Sequence, residues 1–219
     1  MSNLNNKLED IFNKKKMLDH NYELIKNNIV HKTAFINWDK LLIGTGNIFG
    51  PFSVIGSEAQ HKYFDTEGKI EIGNNNVFHS FTDVSCSSTL NGYSLIGSNN
   101  YLMSHSIIHH DCIIEDNTII CSNVSVAGHV RIMNGAYLGQ NSSVHQFQVI
   151  GSYAILGMNS CVIKNSSVSP GFKFAGVPCR KIGINVISLE RNKVSSTLLS
   201  EEKKRFQNLK KSMKYKVTI

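Results

Sequence analysis

A medium-sized apolar side chain recurs at every sixth residue from Val30 to Phe174. The series runs Val30, Ile36, Leu42, Ile48 and Val54, resumes at Ile72, Phe78, Val84, Leu90 and Ile96, and continues unbroken through Ile108, Val126, Val144 and Val162. Only Gln60 and Thr66 interrupt it. Neither the 3.6-residue period of a helix nor the alternation of a half-buried strand produces a period of six. Residues two positions earlier are mostly small, such as Ala34, Ser88, Ser106, Cys112 and Ala136. Glycine often follows, as at Gly97, Gly139 and Gly157. Each unit therefore predicts one short strand and one tight corner. The aliphatic residue points inward, and glycine supplies the unusual backbone angles of the corner. Three units close an 18-residue triangular coil, and coils stack roughly 4.8 Å apart. One coil cannot bury its own faces, so stacking is the fold: an all-β parallel β-helix.

The same ladder divides the chain. Residues 1–29 carry Leu4, Leu8, Ile11 and Phe12 at helical spacing, which predicts a short N-terminal helical segment over the first coil. Residues 30–180 are the β-helix. Its one gap predicts a polar excursion over 57–69, readable either as a functional loop on a rigid scaffold or as a tolerated insertion. Residues 181–219 predict a basic helical segment, with Ser200 as N-cap and Glu201 and Glu202 in the first turn.

Composition narrows the setting. The five cysteines are scattered, odd in number and without CxxC spacing, which predicts reduced thiols and a cytoplasmic location. No apolar run approaches the length of a membrane span or a signal segment. The net charge of +7 favours acidic partners; nucleic acid, an anionic membrane surface, an acidic carrier protein and a phosphorylated substrate all fit it.

An 18-residue coil also states which residues stack. His110, Gly128 and Gln146 form one column; Asp111, His129 and Phe147 form the next; His109, Ala127 and His145 the one before. Histidine titrates near neutrality, and Asp111 is placed to orient an imidazole. Gly128 lets a ligand approach its backbone N–H. A lone histidine is usually a packing or surface residue, but this cluster reads as a site. A metal centre fits less well. His105 and His110 have the spacing of two zinc ligands in the γ-class carbonic anhydrases. However, Lys69 stands two coils before His105 and His79 is out of register, so no metal site is predicted.

The stretch "HSIIHHDCIIEDNTIICSNVSVAGHVRI", with "SSVHQFQVIG", "AGVPCRKIGINVISLER" and "AQHKY", resembles the UDP-N-acetylglucosamine acyltransferases of lipid A synthesis over residues 31–191. The resemblance implies a left-handed β-helix, a homotrimer with active sites between subunits, and acyl transfer from acyl carrier protein or acyl-CoA to a sugar nucleotide. It implies no bound cofactor and no nucleic-acid partner. His110 matches the family's general base, Asp111 its orienting partner and Gly128 its oxyanion donor. His129, His145 and Gln146 match residues at the sugar nucleotide. Gln60 and Lys62 match the substrate loop. Asn185 and Arg191 match residues that reach the nucleotide or the pantetheine arm. Met158 stands where long-chain enzymes keep a glycine as acyl-chain ruler, which implies a short or medium acyl group. Ile107, Gln140, Ile187 and Asn192 also depart from the family pattern, all around the substrate pockets. Two alternatives stay open: acyl-CoA-dependent N-acylation of an amino sugar nucleotide for surface polysaccharide, and a non-catalytic β-helix binding protein, against which the retained His110–Asp111 pair argues.

Overall fold

The computed structural model describes residues 10–11, 13, 20–62, 68–166 and 168–216. The chain passes in turn through three parallel sheets, which form the sides of a triangular prism. On the central coils the first sheet takes Tyr101–Leu102, Ile119–Ile120, Tyr137–Leu138 and Ile155–Leu156. The second takes Ile107–Ile108, Ser125–Val126, Ser143–Val144 and Cys161–Val162. The third takes Tyr93–Ile96, Ile113–Ile114, Arg131–Ile132 and Val149–Ile150. The core runs up the axis, with Phe78, Ile108, Ile120, Val126, Leu138 and Leu156 excluded from solvent. Its handedness is that of the left-handed β-helices.

From Ile108 upward the predicted register holds. Ile108, Val126, Val144 and Val162 pair in succession at the 18-residue interval. Below Ile108 the intervals differ. Ile36 pairs with Ile55, Ile55 with Val84 and Val84 with Ile108, at separations of 19, 29 and 24 residues. The ladder thus gains one residue between Ile36 and Ile43, eleven between Ile55 and Ile72, and six between Val84 and Ile96. The first two gains together equal two repeat units, so the six-residue phase resumes as though undisturbed. Three expectations are corrected as a result. Leu42 is 51% exposed, and its neighbours Leu41 and Ile43 face the core instead. Phe49 and Ile55 take the inward places expected of Ile48 and Val54. Leu90 is 64% exposed, on a second loop that the intact phase had concealed.

The corners differ from expectation as well. From Asn99 to Gly171 every sixth residue adopts positive φ, and Asn is the commonest type among them, as at Asn99, Asn117, Asn123, Asn141 and Asn159. A short polar side chain tolerates that region better than others do. The glycines after the inward residues are there for space. A Cβ on Gly139 would lie 2.7 Å from the Met158 nitrogen and 2.8 Å from the Leu156 carbonyl oxygen of the next coil.

At the lower end, Tyr22–Ile25 pairs antiparallel with Asn28–His31, so the last residues of the segment expected to be helical form a hairpin. Its turn falls at Lys26 and Asn27, both at positive φ. Of the helical positions named there, Ile11 is helical, whereas Leu4, Leu8 and Phe12 lie outside the described residues. At the upper end, Arg180–Ile184 likewise opens the segment expected to be helical as a strand, antiparallel to Phe172–Ala175. Helix α1 (Val186–Arg191) and helix α2 (Ser196–Lys216) follow. Ser195 caps α2 by accepting the Leu198 N–H at 3.1 Å, one turn earlier than the expected cap at Ser200. Helix α2 lies on the third sheet. Phe206 is fully buried against Met133 and Val149. Arg205 bonds Glu115, which also accepts Arg131 Nε at 3.0 Å, and Glu202 accepts the Ser152 hydroxyl.

Candidate active site

The edge between the second and third sheets carries the stacked histidines. His110 follows the Ile107–Ile108 strand, and Asp111 takes the left-handed corner with φ +59°. At this corner the Asp111 N–H donates to Ser94 Oγ at 2.9 Å, and its carboxylate turns back onto the preceding ring. Asp111 Oδ2 lies 2.7 Å from His110 Nδ1 and 3.7 Å from His129 Nε2. Both members of the His110–Asp111 pair are 10% exposed.

The concealed loop supplies the rest of the carboxylate's partners. Ser87 Oγ and Thr89 Oγ1 donate to Oδ1, the latter at 3.2 Å. Ser88 donates to Oδ2 twice, through Oγ at 2.6 Å and N–H at 3.2 Å. Burial pushes the Asp111 carboxyl up, but the hydrogen bonds from His110, Ser87 and Ser88, with the nearby charge of His129, outweigh it and hold it well below the usual carboxylate range. An ionised carboxylate only accepts, so in the neutral imidazole His110 Nδ1 carries the proton and Nε2 presents its lone pair. The neighbouring His109 is pushed down, chiefly by burial and then by His110.

Above the ring sits Gly128. A Cβ there would lie 2.7 Å from His110 Cε1 and 2.8 Å from Nε2, so only glycine leaves the ring and a substrate room. Among the described residues, no carbonyl accepts the Gly128 N–H, whereas the N–H groups on either side, of Ala127 and His129, bond to Val144 and His110. His129 is held flat on Phe147, with ring centroids 4.5 Å apart. The excursion returns to the same place. His61, between the expected Gln60 and Lys62, meets His110 edge-on at 5.5 Å, while Gln60 and Lys62 are exposed beside it.

Other expected residues lie elsewhere. His145 and Gln146 are exposed one coil above Gly128 on the same edge, where His145 Nδ1 bonds the Gln146 carbonyl at 3.0 Å. Asn185 is buried and caps α1, and its Nδ2 donates to the Tyr153 carbonyl at 2.7 Å. Both Asn185 and Arg191 line a cavity of about 400 Å³ over the first sheet, the side of the prism opposite the His110 edge. Met158 is 69% exposed at the edge between the first and second sheets. His105 lies at that edge too, stacked on Phe81 at 4.7 Å, so its sequence spacing from His110 does not bring the two together. Donor atoms of His110, Asp111 and His129 do gather within 4.8 Å, but two of the three residues are already bonded to each other.

Spacing alone pointed to the column but not to Ser87, Ser88, Thr89 or His61. Those contacts are made by chain outside the repeat. The one available signal was the run of three hydroxyl residues ahead of Gly92, in a unit whose inward residue, Leu90, looked ordinary.

Residues 93–128 match the family described as bacterial transferase hexapeptide (six repeats). The chain is 34% identical over 171 residues to an acyl-[acyl-carrier-protein]–UDP-N-acetylglucosamine O-acyltransferase of Gloeothece citriformis, covering 78% of this chain and 61% of that one. It is 33% identical over 172 residues to the enzyme of that name from Burkholderia orbicola, covering 78% and 65%. The chain therefore spans less than two thirds of the length of these curated relatives. A UDP-N-acetylglucosamine acyltransferase structure from Bacteroides fragilis superposes with a TM-score of 0.72 at 28% identity, covering 83% of this chain and 70% of that one.

Proposed function

Because the chain is a hexapeptide-repeat relative of the UDP-N-acetylglucosamine O-acyltransferases, we propose that it moves an acyl group from an acyl-carrier-protein thioester to a hydroxyl of a sugar nucleotide resembling UDP-N-acetylglucosamine. The observation that carries this reading is the His110–Asp111 pair with Gly128 directly above the ring. His110 Nε2 takes the proton of the attacking hydroxyl, and Asp111 supports the imidazolium that forms. The sugar oxygen bonds to the thioester carbon, and the Gly128 N–H donates to the oxyanion. Collapse of that intermediate breaks the C–S bond, and the departing thiolate takes the proton from His110. His129, His145 and Gln146 hold the sugar nucleotide along the same edge, and Gln60 and Lys62 close over it.

The active assembly in this reading is a homotrimer. The placement of Asn185 and Arg191 on the side of the prism away from His110 supports it, because only a second copy brings them to that edge. Met158 limits the acyl group to short or medium length. A cytoplasmic location is supported by five free cysteines, among which burial pushes Cys112 up to about 12.

The test is mass spectrometry of the products formed from a panel of acyl-carrier-protein and acyl-CoA donors with sugar nucleotides. The expected product is an O-acylated UDP-N-acetylglucosamine, lost in His110→Ala. Absence of any acylated sugar nucleotide, or full activity in His110→Ala, overturns the proposal.

A further inference from the structure

The column that carries the base continues past Gly128. Val126, Val144 and Val162 stack in register, so Gly128, Gln146 and Lys164, each two residues further on, lie in one line above His110. At roughly 4.8 Å per coil, Gln146 stands about 10 Å and Lys164 about 14 Å along the axis from His110. Here the edge is walled in. A groove of about 410 Å³ opens beside Gln146 and Lys164, with Phe147 and Val149 along it, and the last turns of α2 close the far side through Lys210 and Met213.

Helix α2 is fixed where it lies. Phe206, one turn before Lys210, is buried against Met133 and Val149, and Arg205 is bonded to Glu115. Lys210, whose Nζ lies 5.7 Å from the Phe206 ring centre, is therefore presented to the groove by an anchored helix. Two lysines converge on the groove, and no Asp or Glu is among the described residues that line it. A groove bordered by two lysine side chains favours an anion over a cation. Lysine serves phosphate well as a compact point charge.

We infer that this groove is a phosphate subsite, in which Lys164 and Lys210 hold a phosphate ester of a co-substrate whose reacting group sits at His110. The inference rests on the acyl-transfer reading for the identity of that co-substrate. Two sources share the chemistry: the diphosphate of a sugar nucleotide and the phosphodiester of a phosphopantetheine thioester.

The experiment uses the full chain and the variants Lys164→Gln, Lys210→Gln and their double. A matched control, Lys203→Gln, removes a charge from α2 outside the groove, where Nζ faces Phe172. The first arm is calorimetric titration with inorganic pyrophosphate, which requires no turnover. The double variant is expected to bind at least about 10-fold more weakly, the usual worth of charge-assisted hydrogen bonds, while Lys203→Gln binds as the unaltered protein does. Equal binding in the double variant, or an equal loss in Lys203→Gln, overturns the subsite. The second arm measures KM for each co-substrate with kcat. A rise confined to the sugar nucleotide assigns the groove to the diphosphate, and a rise confined to the thioester assigns it to the carrier arm. No change in either KM overturns the inference. Loss of pyrophosphate binding in the double variant of a protein with no acyl-transfer activity upholds the subsite and rejects the acyl-transfer reading alone.

Discussion

A Cβ at residue 128 would lie 2.7 Å from His110 Cε1. The obstacle is a ring held by its own hydrogen bond to Asp111, so relief requires rotating the base out of place. In Gly128→Ala the 18-residue register on either side is untouched. Acyl transfer is expected to fall by about 100-fold or more, as for a catalytic group displaced by about an ångström. Circular dichroism and oligomeric state are expected to remain unchanged. Near-normal kcat in a folded Gly128→Ala protein would refute the assigned contact.

Asp111 gives a prediction in pH. Its folded-state pKa is depressed, so it contributes stability that is present above the unfolded carboxylate value and lost as pH falls through the folded one. Ser88→Ala removes one hydroxyl donor and is expected to cost about 2 kcal/mol at neutral pH, typical of a hydrogen bond to a charged group. Denaturant unfolding from pH 7 down to pH 2 checks both statements. The gap between Ser88→Ala and the unaltered protein should keep its full width down to about pH 4, the ordinary carboxylate value, and narrow only as pH falls further toward the depressed folded-state value. A gap that widens on acidification would show that the hydroxyl does not stabilise the ionised form.

Helix α2 depends on one buried ring. Phe206 is fully buried, while Lys203, Lys204 and Lys211 face water. Phe206→Ala removes a contact worth about 3–5 kcal/mol, more than a lysine-rich helix recovers by itself in water. Hydrogen exchange should then show lost protection across Ser196–Lys216, with the strands from Ile107 to Val162 protected as before. Uniform loss of protection along the coils would mean that the helix and β-helix unfold as one unit.

What the sequence disclosed follows from where the repeat is regular. Above Ile108 each coil has the same length, so spacing alone put Gly128 over His110 and Gln146 over Gly128. Below Ile108 an insertion of six residues, and two whose lengths total twelve, leave the phase intact. Leu90 therefore passed for a core residue when it stands on the loop whose serines hold Asp111. His61 was invisible for a related reason: its contact with His110 is made by chain outside the repeat and follows no period. Docking of α2 was hidden because Met133 and Val149 lie outside the inward ladder, where burial depends on a distant segment. The fold was thus legible wherever local pattern and global packing agree, and silent where two remote segments meet.

The acyl-chain reading of Met158 can be tested on the same geometry. Met158 lies 48 residues beyond His110, fewer than three coils, or about 13 Å along the axis. It sits at a different edge of the prism. An acyl tail from a carbonyl at His110 therefore has to run upward and across before it meets the exposed thioether. Met158→Gly deletes that side chain, and glycine can adopt the backbone angles of the corner without a steric cost. The expected result is a shift of preference toward longer donors, with kcat/KM for the longest acyl-carrier-protein tested rising about 10-fold, the effect of a few added methylenes finding room. Competition assays with mixed-length donors, read by mass spectrometry, measure the shift directly. An unchanged product distribution would remove Met158 as the ruler and place the limit on acyl length elsewhere along the tail's path.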